Sequence, residues 1–207
     1  MAPEKIVKQA KKRGLNCIAI TDHETIRGGI EGKTWGDKLG VRVVVGSEVS
    51  TDRGDIIGLN LTEEIRVTGW KEVILSIHDQ GGIVVLPHPY RDHIGVEEIA
   101  PLVDYIEVCN GRSSQKQNHD ADGLAKRHNK PGTAGSDAHS FSEIGSVCAR
   151  IVPDTFACNE ILKSGKMSPA AIRRSVIVSL IKKRKFGTLF ILTVQFAGKR
   201  ICKVFGG

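Results

Sequence analysis

The sequence contains few aromatic residues, no closely paired cysteines and no long hydrophobic run. Aromatic residues make up 5% of its 207 residues, and its five cysteines are scattered without a Cys-x-x-Cys pair. Neither a disulfide scaffold nor a zinc ribbon is therefore expected. The longest apolar run near the end of the chain, 186–198, includes Thr and Gln and is too short to span a bilayer. Because charged residues also interrupt the first ten positions, no signal peptide is predicted, and we expect a cytoplasmic protein with reduced thiols.

Several common catalytic motifs are absent as well. The sequence has no Gly-x-Ser-x-Gly nucleophile elbow and no Walker A loop, and no Gly-x-Gly-x-x-Gly follows a predicted strand. Serine hydrolases built on that elbow, P-loop nucleotidases and dinucleotide-binding enzymes are therefore disfavoured.

Acidic residues are missing from the last part of the chain. The formal net charge is +7, but residues 163–207 contain eleven Lys or Arg and no Asp or Glu. This shift in composition predicts a body followed by a basic C-terminal extension, and we place the two at 1–165 and 166–207. A basic extension favours an anionic partner, such as a nucleic acid or a membrane surface. A solvated helix face is the alternative explanation of the same charges.

The body alternates short apolar segments with helix-like segments. This alternation predicts an α/β fold, either a barrel or an open parallel sheet. The glycines of 26–39 leave that segment open between a helix and a loop. Strands are predicted at 16–20, 41–45, 55–61, 83–86, 105–108, 133–135 and 148–152, and helices at 3–13, 70–80, 96–102, 119–128 and 159–163.

Most of the predicted strands end in a polar side chain that could bind a metal ion or a phosphate. In parallel α/β folds the carboxyl ends of strands meet at one edge, so these side chains are expected to converge. Imidazole and carboxylate ligands together suit Zn²⁺, Mn²⁺ or Fe. Each residue taken alone has a structural alternative as a helix cap or turn residue. The candidate metal ligands are His23, Glu48, His88, Asp137 and His139, whereas His78, His93 and His128 are interpreted as structural or exposed.

The ordered motifs resemble the PHP family, the polymerase and histidinol phosphatase-type metal-dependent phosphoesterases. They are TDH at 21–23, GSE at 46–48, GGIVVLPHP at 81–89, YIEVCNGR at 105–112 and AGSDAHSFSEIG at 134–145. The resemblance implies a distorted (β/α)7 TIM-like barrel with two or three divalent metal ions, often Mn, Zn or Fe, at the strand ends. It implies hydrolysis of phosphomonoesters or phosphodiesters by metal-bound hydroxide, with a phosphorylated small molecule or a nucleotide as substrate. The same five residues would be the ligands, with Glu48 bridging metals, and Asn110 and Arg112 would lie near the substrate.

The sequence departs from the family pattern at its start. PHP proteins open with a strand that bears a His-x-His pair, and no such pair occurs in this sequence. We therefore expect a barrel without its first strand and with weakened metal binding. The alternatives are a truncated enzyme and an inactive relic that binds metal or phosphate. A strand-like segment at 188–195 is a candidate cover for the exposed sheet edge.

Overall fold

The structure, a computed structural model, describes residues 1–152 and 155–164. The basic extension at 166–207 and its predicted covering strand at 188–195 lie outside the described residues. The described helices are α1 (Pro3–Lys12), α2 (Arg27–Leu39), α3 (Trp70–Asp79), α4 (Val96–Ile99) and α5 (Gln115–Arg127). The described strands are β1 (Cys17–His23), β2 (Arg42–Thr51), β3 (Gly54–Leu59), β4 (Ile83–Leu86), β5 (Tyr105–Asn110), β6 (Gly132–Gly135), β7 (Val147–Ile151) and β8 (Cys158–Ser164).

Six of these strands form one mixed sheet that curls into half a barrel. The strand order is β1-β2-β3-β4-β5-β6, so neighbours in sequence are neighbours in the sheet. The pairs β1–β2, β4–β5 and β5–β6 are parallel, but β3 is antiparallel to both β2 and β4. The expectation of an all-parallel sheet was therefore wrong at β3. The short link between β2 and β3 leaves no room for a crossover, and a parallel connection would require one.

Helix α2 confirms the helical alternative for 26–39, and its glycines explain how it packs. A Cβ on Gly29 would lie 3.0 Å from the Cα of Val45, and a Cβ on Gly32 would lie 2.5 Å from the Cδ1 of Ile20. The glycines that weaken helix propensity thus allow α2 to approach β1 and β2 closely.

Within the described residues, no helix is both long and apolar enough to cross a membrane.

Two hydrophobic clusters hold the helices against the sheet. The larger one joins α3 to the central strands through side chains such as Val73, Ile77 and Leu86. A second cluster joins α1 to β1 and β2, and Ile144 packs there too.

Residues 159–163 form a strand, which corrects the predicted helix. These residues belong to β8, which pairs antiparallel with β7 in a separate two-stranded sheet. The segment is too short to sustain an isolated helix. Pairing with β7 therefore decides its conformation, and Arg150 and Glu160 form an ion pair of 3.6 Å across the two strands.

Candidate metal centre

One edge of the six-stranded sheet collects the polar side chains. The parallel strands β1, β4, β5 and β6 end at this edge, and β2 passes it with Glu48 beside His23 in register. Because β3 runs the other way, its first residues lie at the same edge. Asp55, next to Ser50 in the β2–β3 pairing, is brought there by this reversal.

Glu48 and His88 form a buried pair at this edge. The Nε2 atom of His88 lies 3.1 Å from Oε1 of Glu48, and the side chain of His88 is only 3% exposed. Burial opposes the charged imidazole, but the hydrogen bond to Glu48, together with the negative charges of Glu107 and Glu48, raises the pKa of His88 on balance. His88 also has a positive φ of 31°, a sparsely populated conformation for a residue with a side chain. Such strain is often found at functional sites.

His23 approaches the same carboxylate from β1. Its Nε2 atom lies 3.8 Å from Oε2 of Glu48, and its side chain is 37% exposed. Its ring centre also lies 6.5 Å from the ring centre of His139. His23 therefore stands between Glu48 and the loop that follows β6.

Asp55 is a candidate ligand that the sequence analysis did not identify. One carboxylate oxygen of Asp55, one of Glu48 and one nitrogen of His88 all lie within 4.8 Å of one another. The hydroxyl of Ser50 donates a hydrogen bond of 2.9 Å to Asp55. The sequence showed only an acidic residue at the start of a predicted strand. Because the direction of that strand is not visible in the sequence, its first residue could not be placed at the site.

Asp137 and His139 lie together in the loop after β6. The Nδ1 atom of His139 donates to the main-chain oxygen of Asp137 at 3.0 Å, which leaves Nε2 as the unprotonated nitrogen of a neutral ring. Burial opposes ionisation of Asp137, but the guanidinium of Arg91 at 2.7 Å, together with His139 and His88, lowers the pKa of Asp137 on balance. Asp137 also has a positive φ of 49°.

Glu107 and Asn110 connect the ends of β4, β5 and β6. The Oε2 atom of Glu107 accepts the main-chain N–H of His88 and the amide Nδ2 of Asn110, both at 2.9 Å. The same Asn110 amide lies 3.4 Å from Asp137. Burial raises the pKa of Glu107 to about 7. The sequence signal for this residue was a lone acidic side chain inside the apolar strand β5.

Arg91 and Arg112 are placed differently around this network. Arg91 is partly exposed, and its Nη1 atom contacts both Asp137 and, at 3.3 Å, Asn110. The side chain of Arg112 is largely buried, and its Nη1 atom lies 3.8 Å from Glu143. Asn110 is itself buried, with its Oδ1 atom accepting the main-chain N–H of Arg112. The predicted substrate contacts of Asn110 and Arg112 stay predictions.

His93 also lies beside the site, although the sequence pattern indicated a structural or exposed residue. Its ring centre is 5.5 Å from that of His88, and its Nε2 atom is 2.7 Å from the main-chain oxygen of Asp55. Burial lowers the pKa of His93. His93 therefore fixes the main chain at Asp55 while packing against His88.

The donor set fits a divalent cation. Imidazole nitrogens and carboxylate oxygens together are the usual ligands of Zn²⁺, Mn²⁺ and Fe. Within the described residues, Nδ1 of His88 is buried and has no hydrogen-bond partner. An unpaired buried polar atom is costly, so this nitrogen and the clustered carboxylates are consistent with a cation.

The chain belongs to the PHP family. The family model described as PHP domain matches residues 1–121, and the model described as PHP-associated matches residues 115–165. The first of these models covers more than half of the chain. The resemblance seen in the motifs is thereby confirmed.

Three similar proteins illustrate the range of relatives. The uncharacterized protein MJ1587 of Methanocaldococcus jannaschii is 51% identical over 89 residues, which are 42% of this chain and 52% of that protein. The phosphoribosyl 1,2-cyclic phosphate 1,2-diphosphodiesterase of Eggerthella lenta is 39% identical over 66 residues, 29% of this chain and 25% of the enzyme. A solved amidohydrolase of Chromobacterium violaceum, with bound sulfate and no metal, shares the fold at a TM-score of 0.60 and 17% identity, covering 70% of this chain and 85% of that one. The matched segments thus span about half or less of the length of these two curated relatives.

Proposed function

We propose that this chain is a divalent-metal-dependent phosphoesterase that acts on a phosphorylated small molecule or a nucleotide. The observation that carries the proposal is the meeting of Glu48, Asp55 and His88 within 4.8 Å at the edge where the other predicted ligands also lie. Family membership supports the same chemistry. The Eggerthella lenta relative, named for a cyclic phosphate ester, and the sulfate-bound Chromobacterium violaceum structure agree with an anionic phosphate substrate.

The residues of the site have two roles in this proposal. Six side chains would bind the cations, and the guanidinium of Arg91 would contact the phosphate. Glu48, His88 and their neighbours His23, Asp55, Asp137 and His139 would hold the cations. When bound, a divalent cation supplies Lewis acidity toward a phosphoryl oxygen and lowers the pKa of a bound water. Arg91 is partly exposed beside Asp137, so its remaining N–H groups are available to a phosphate oxygen.

An assay with generic esters tests this proposal. The purified full chain, supplied with Mn²⁺, Zn²⁺ or Fe²⁺, is expected to hydrolyse p-nitrophenyl phosphate or bis(p-nitrophenyl) phosphate. His88→Ala and Asp137→Ala should each abolish the activity. His78→Ala is the matched control, because His78 contacts Asp104 at the surface, away from the centre, and this variant should keep full activity.

The assay also separates the inactive relic from the enzyme. Bound metal without turnover of either ester, under all three metals, would contradict the phosphoesterase proposal and favour the relic. Activity that survives in both ligand variants would contradict the assignment of the site. Binding of nucleic acid or membranes through the extension at 166–207 stays a prediction, as does the cytoplasmic location.

A further inference from the structure

Glu143 is a buried acid in the loop that carries His139. It is only 3% exposed. Its Oε2 atom accepts the main-chain N–H groups of His139 at 2.6 Å and of Ser140 at 2.9 Å. The main-chain N–H of Glu143 in turn donates to the carbonyl of Ser140, which closes the turn. One carboxylate therefore fixes the backbone on which His139 stands.

Arg112 supplies the positive charge that faces this carboxylate. Its side chain is 9% exposed, and its Nη1 atom lies 3.8 Å from Oε2 of Glu143. Within the described residues that Nη1 atom makes no hydrogen bond. A buried carboxylate is costly unless it is paired and hydrogen-bonded. Arg112 and the two main-chain N–H groups together satisfy this requirement for Glu143.

Arg112 is itself anchored to the end of β5. Its main-chain N–H donates to Oδ1 of Asn110 at 2.8 Å, and Asn110 is tied to Glu107. The pair of Arg112 and Glu143 thus links the end of β5 to the loop after β6. This link holds the loop that carries His139 close to the hydrogen bonds between Asn110 and Glu107 at the end of β5.

The ring of His139 is held in the orientation that a metal ligand needs. Its Nδ1 atom donates to the main-chain oxygen of Asp137. Metal-binding histidines commonly donate their second ring N–H to a carbonyl, which directs the other nitrogen toward the ion. Movement of the His139 backbone would displace Nε2 from that direction.

We propose that Glu143 is a positioning residue for His139 and that Arg112 is its counter-charge, so that this buried pair controls cation affinity without touching the substrate. The inference rests on the proposed function, because it takes His139 to be a ligand. It gives Arg112 a role different from the phosphate contact that the family resemblance implies. It also explains why the acidic residue of the segment SFSEIG at 140–145 is placed four residues after His139.

Cation binding to the full chain tests the proposal without any substrate. The affinity for Zn²⁺ is measured by titration calorimetry for the native chain and for His139→Ala, Glu143→Gln, Glu143→Asp and Ser142→Ala. Loss of an outer partner of a metal ligand typically weakens binding about 10–100-fold. Glu143→Gln keeps an oxygen at the same reach and should lose little affinity. Glu143→Asp keeps the charge but withdraws the oxygen, and it should lose as much affinity as His139→Ala. Ser142→Ala, in the same loop, should bind like the native chain.

Two results would overturn the positioning role. A larger loss in Glu143→Gln than in Glu143→Asp would show that Glu143 acts by charge rather than by position. Native affinity in Glu143→Asp, with a clear loss in His139→Ala, would show that the loop holds His139 without Glu143. Native Zn²⁺ affinity in His139→Ala would show that His139 is not a ligand, and this proposal would then be wrong. The phosphoesterase proposal would not fall with it, because hydrolysis by the native chain is measured in a separate assay.

Arg112→Met tests the counter-charge. Removing a nearby positive charge favours cation binding by simple electrostatics, so a weaker Zn²⁺ affinity is the result expected only if Arg112 supports Glu143. Inorganic phosphate, titrated into the Zn²⁺-loaded chain, is the second probe. Native Zn²⁺ affinity combined with lost phosphate binding would overturn the counter-charge role and return Arg112 to the substrate.

Discussion

The two sides of the candidate metal centre differ in how firmly their side chains are held. On the β4–β6 side, defined here as His88, Glu107, Asn110 and Asp137, hydrogen bonds of 2.9 Å join Glu107 to its neighbours. On the β1 side, defined as His23, the imidazole is 37% exposed and approaches Glu48 only to 3.8 Å. The first side is held by several hydrogen bonds within the protein, whereas the imidazole of the second makes only this one weak contact with Glu48. A ligand that is fixed in advance loses less conformational freedom when a cation binds.

Glu107→Ala should have the largest effect on folding, because it removes the acceptor at the centre of the β4–β6 side. The main-chain N–H of His88 and the amide of Asn110 would both lose a partner inside the protein. Each unsatisfied buried donor costs about 1–3 kcal/mol, so the free energy of unfolding should fall by about 3 kcal/mol. Urea denaturation of the metal-free chain measures this change.

Glu107→Gln is the matched control for that prediction. It keeps an oxygen acceptor and removes the buried acid, so we expect less than half of the loss. Equal losses in the two variants would show that the charge of Glu107, rather than its acceptor role, stabilises the β4–β6 side.

His88→Ala should have the next largest effect. The imidazole is almost fully buried and contacts Glu48 at 3.1 Å, so its removal leaves a cavity and a buried carboxylate that has lost a partner. We expect the free energy of unfolding to fall by about 2 kcal/mol without metal. The stabilisation that added Zn²⁺ produces in thermal unfolding should also disappear. Full retention of that metal-dependent stabilisation would remove His88 from the ligand set.

Arg91→Ala should change stability less and separate metal binding from phosphate binding. Its Nη1 atom contacts Oδ2 of Asp137 at 2.7 Å. Because the side chain of Arg91 is partly exposed, the free energy of unfolding should fall by only about 1 kcal/mol. Cation affinity should stay equal or rise, because a competing positive charge has gone. In contrast, KM for p-nitrophenyl phosphate should rise about tenfold, as expected for one lost charge-assisted hydrogen bond. Arg91→Lys is the control and should recover part of that loss, whereas an unchanged KM would exclude Arg91 from substrate binding.

The sequence predicted which polar residues follow the strands better than it predicted the direction in which each strand runs. His23, Glu48, His88, Asp137 and His139 were predicted as ligands because each follows a short apolar segment, and such segments are visible in a sequence. Asp55 was missed because its arrival at the site depends on the reversed direction of β3. The contacts of Glu107 and Glu143 could not be predicted either. Glu107 accepts the main-chain N–H of His88, which is distant in sequence. Glu143 accepts the main-chain N–H of His139 within a loop whose geometry is irregular.

His23→Ala should have the smallest effect on folding, and it tests the β1 side directly. Because the imidazole is exposed and contacts Glu48 only weakly, the free energy of unfolding without metal should change by less than about 0.5 kcal/mol. If His23 becomes ordered only around a cation, its loss should appear when Zn²⁺ is added. A tenfold weaker affinity would reduce the stabilisation at saturating Zn²⁺ by about 1.4 kcal/mol. A variant that is destabilised equally with and without Zn²⁺ would mean that His23 is held by the protein itself, and the contrast between the two sides would then be wrong.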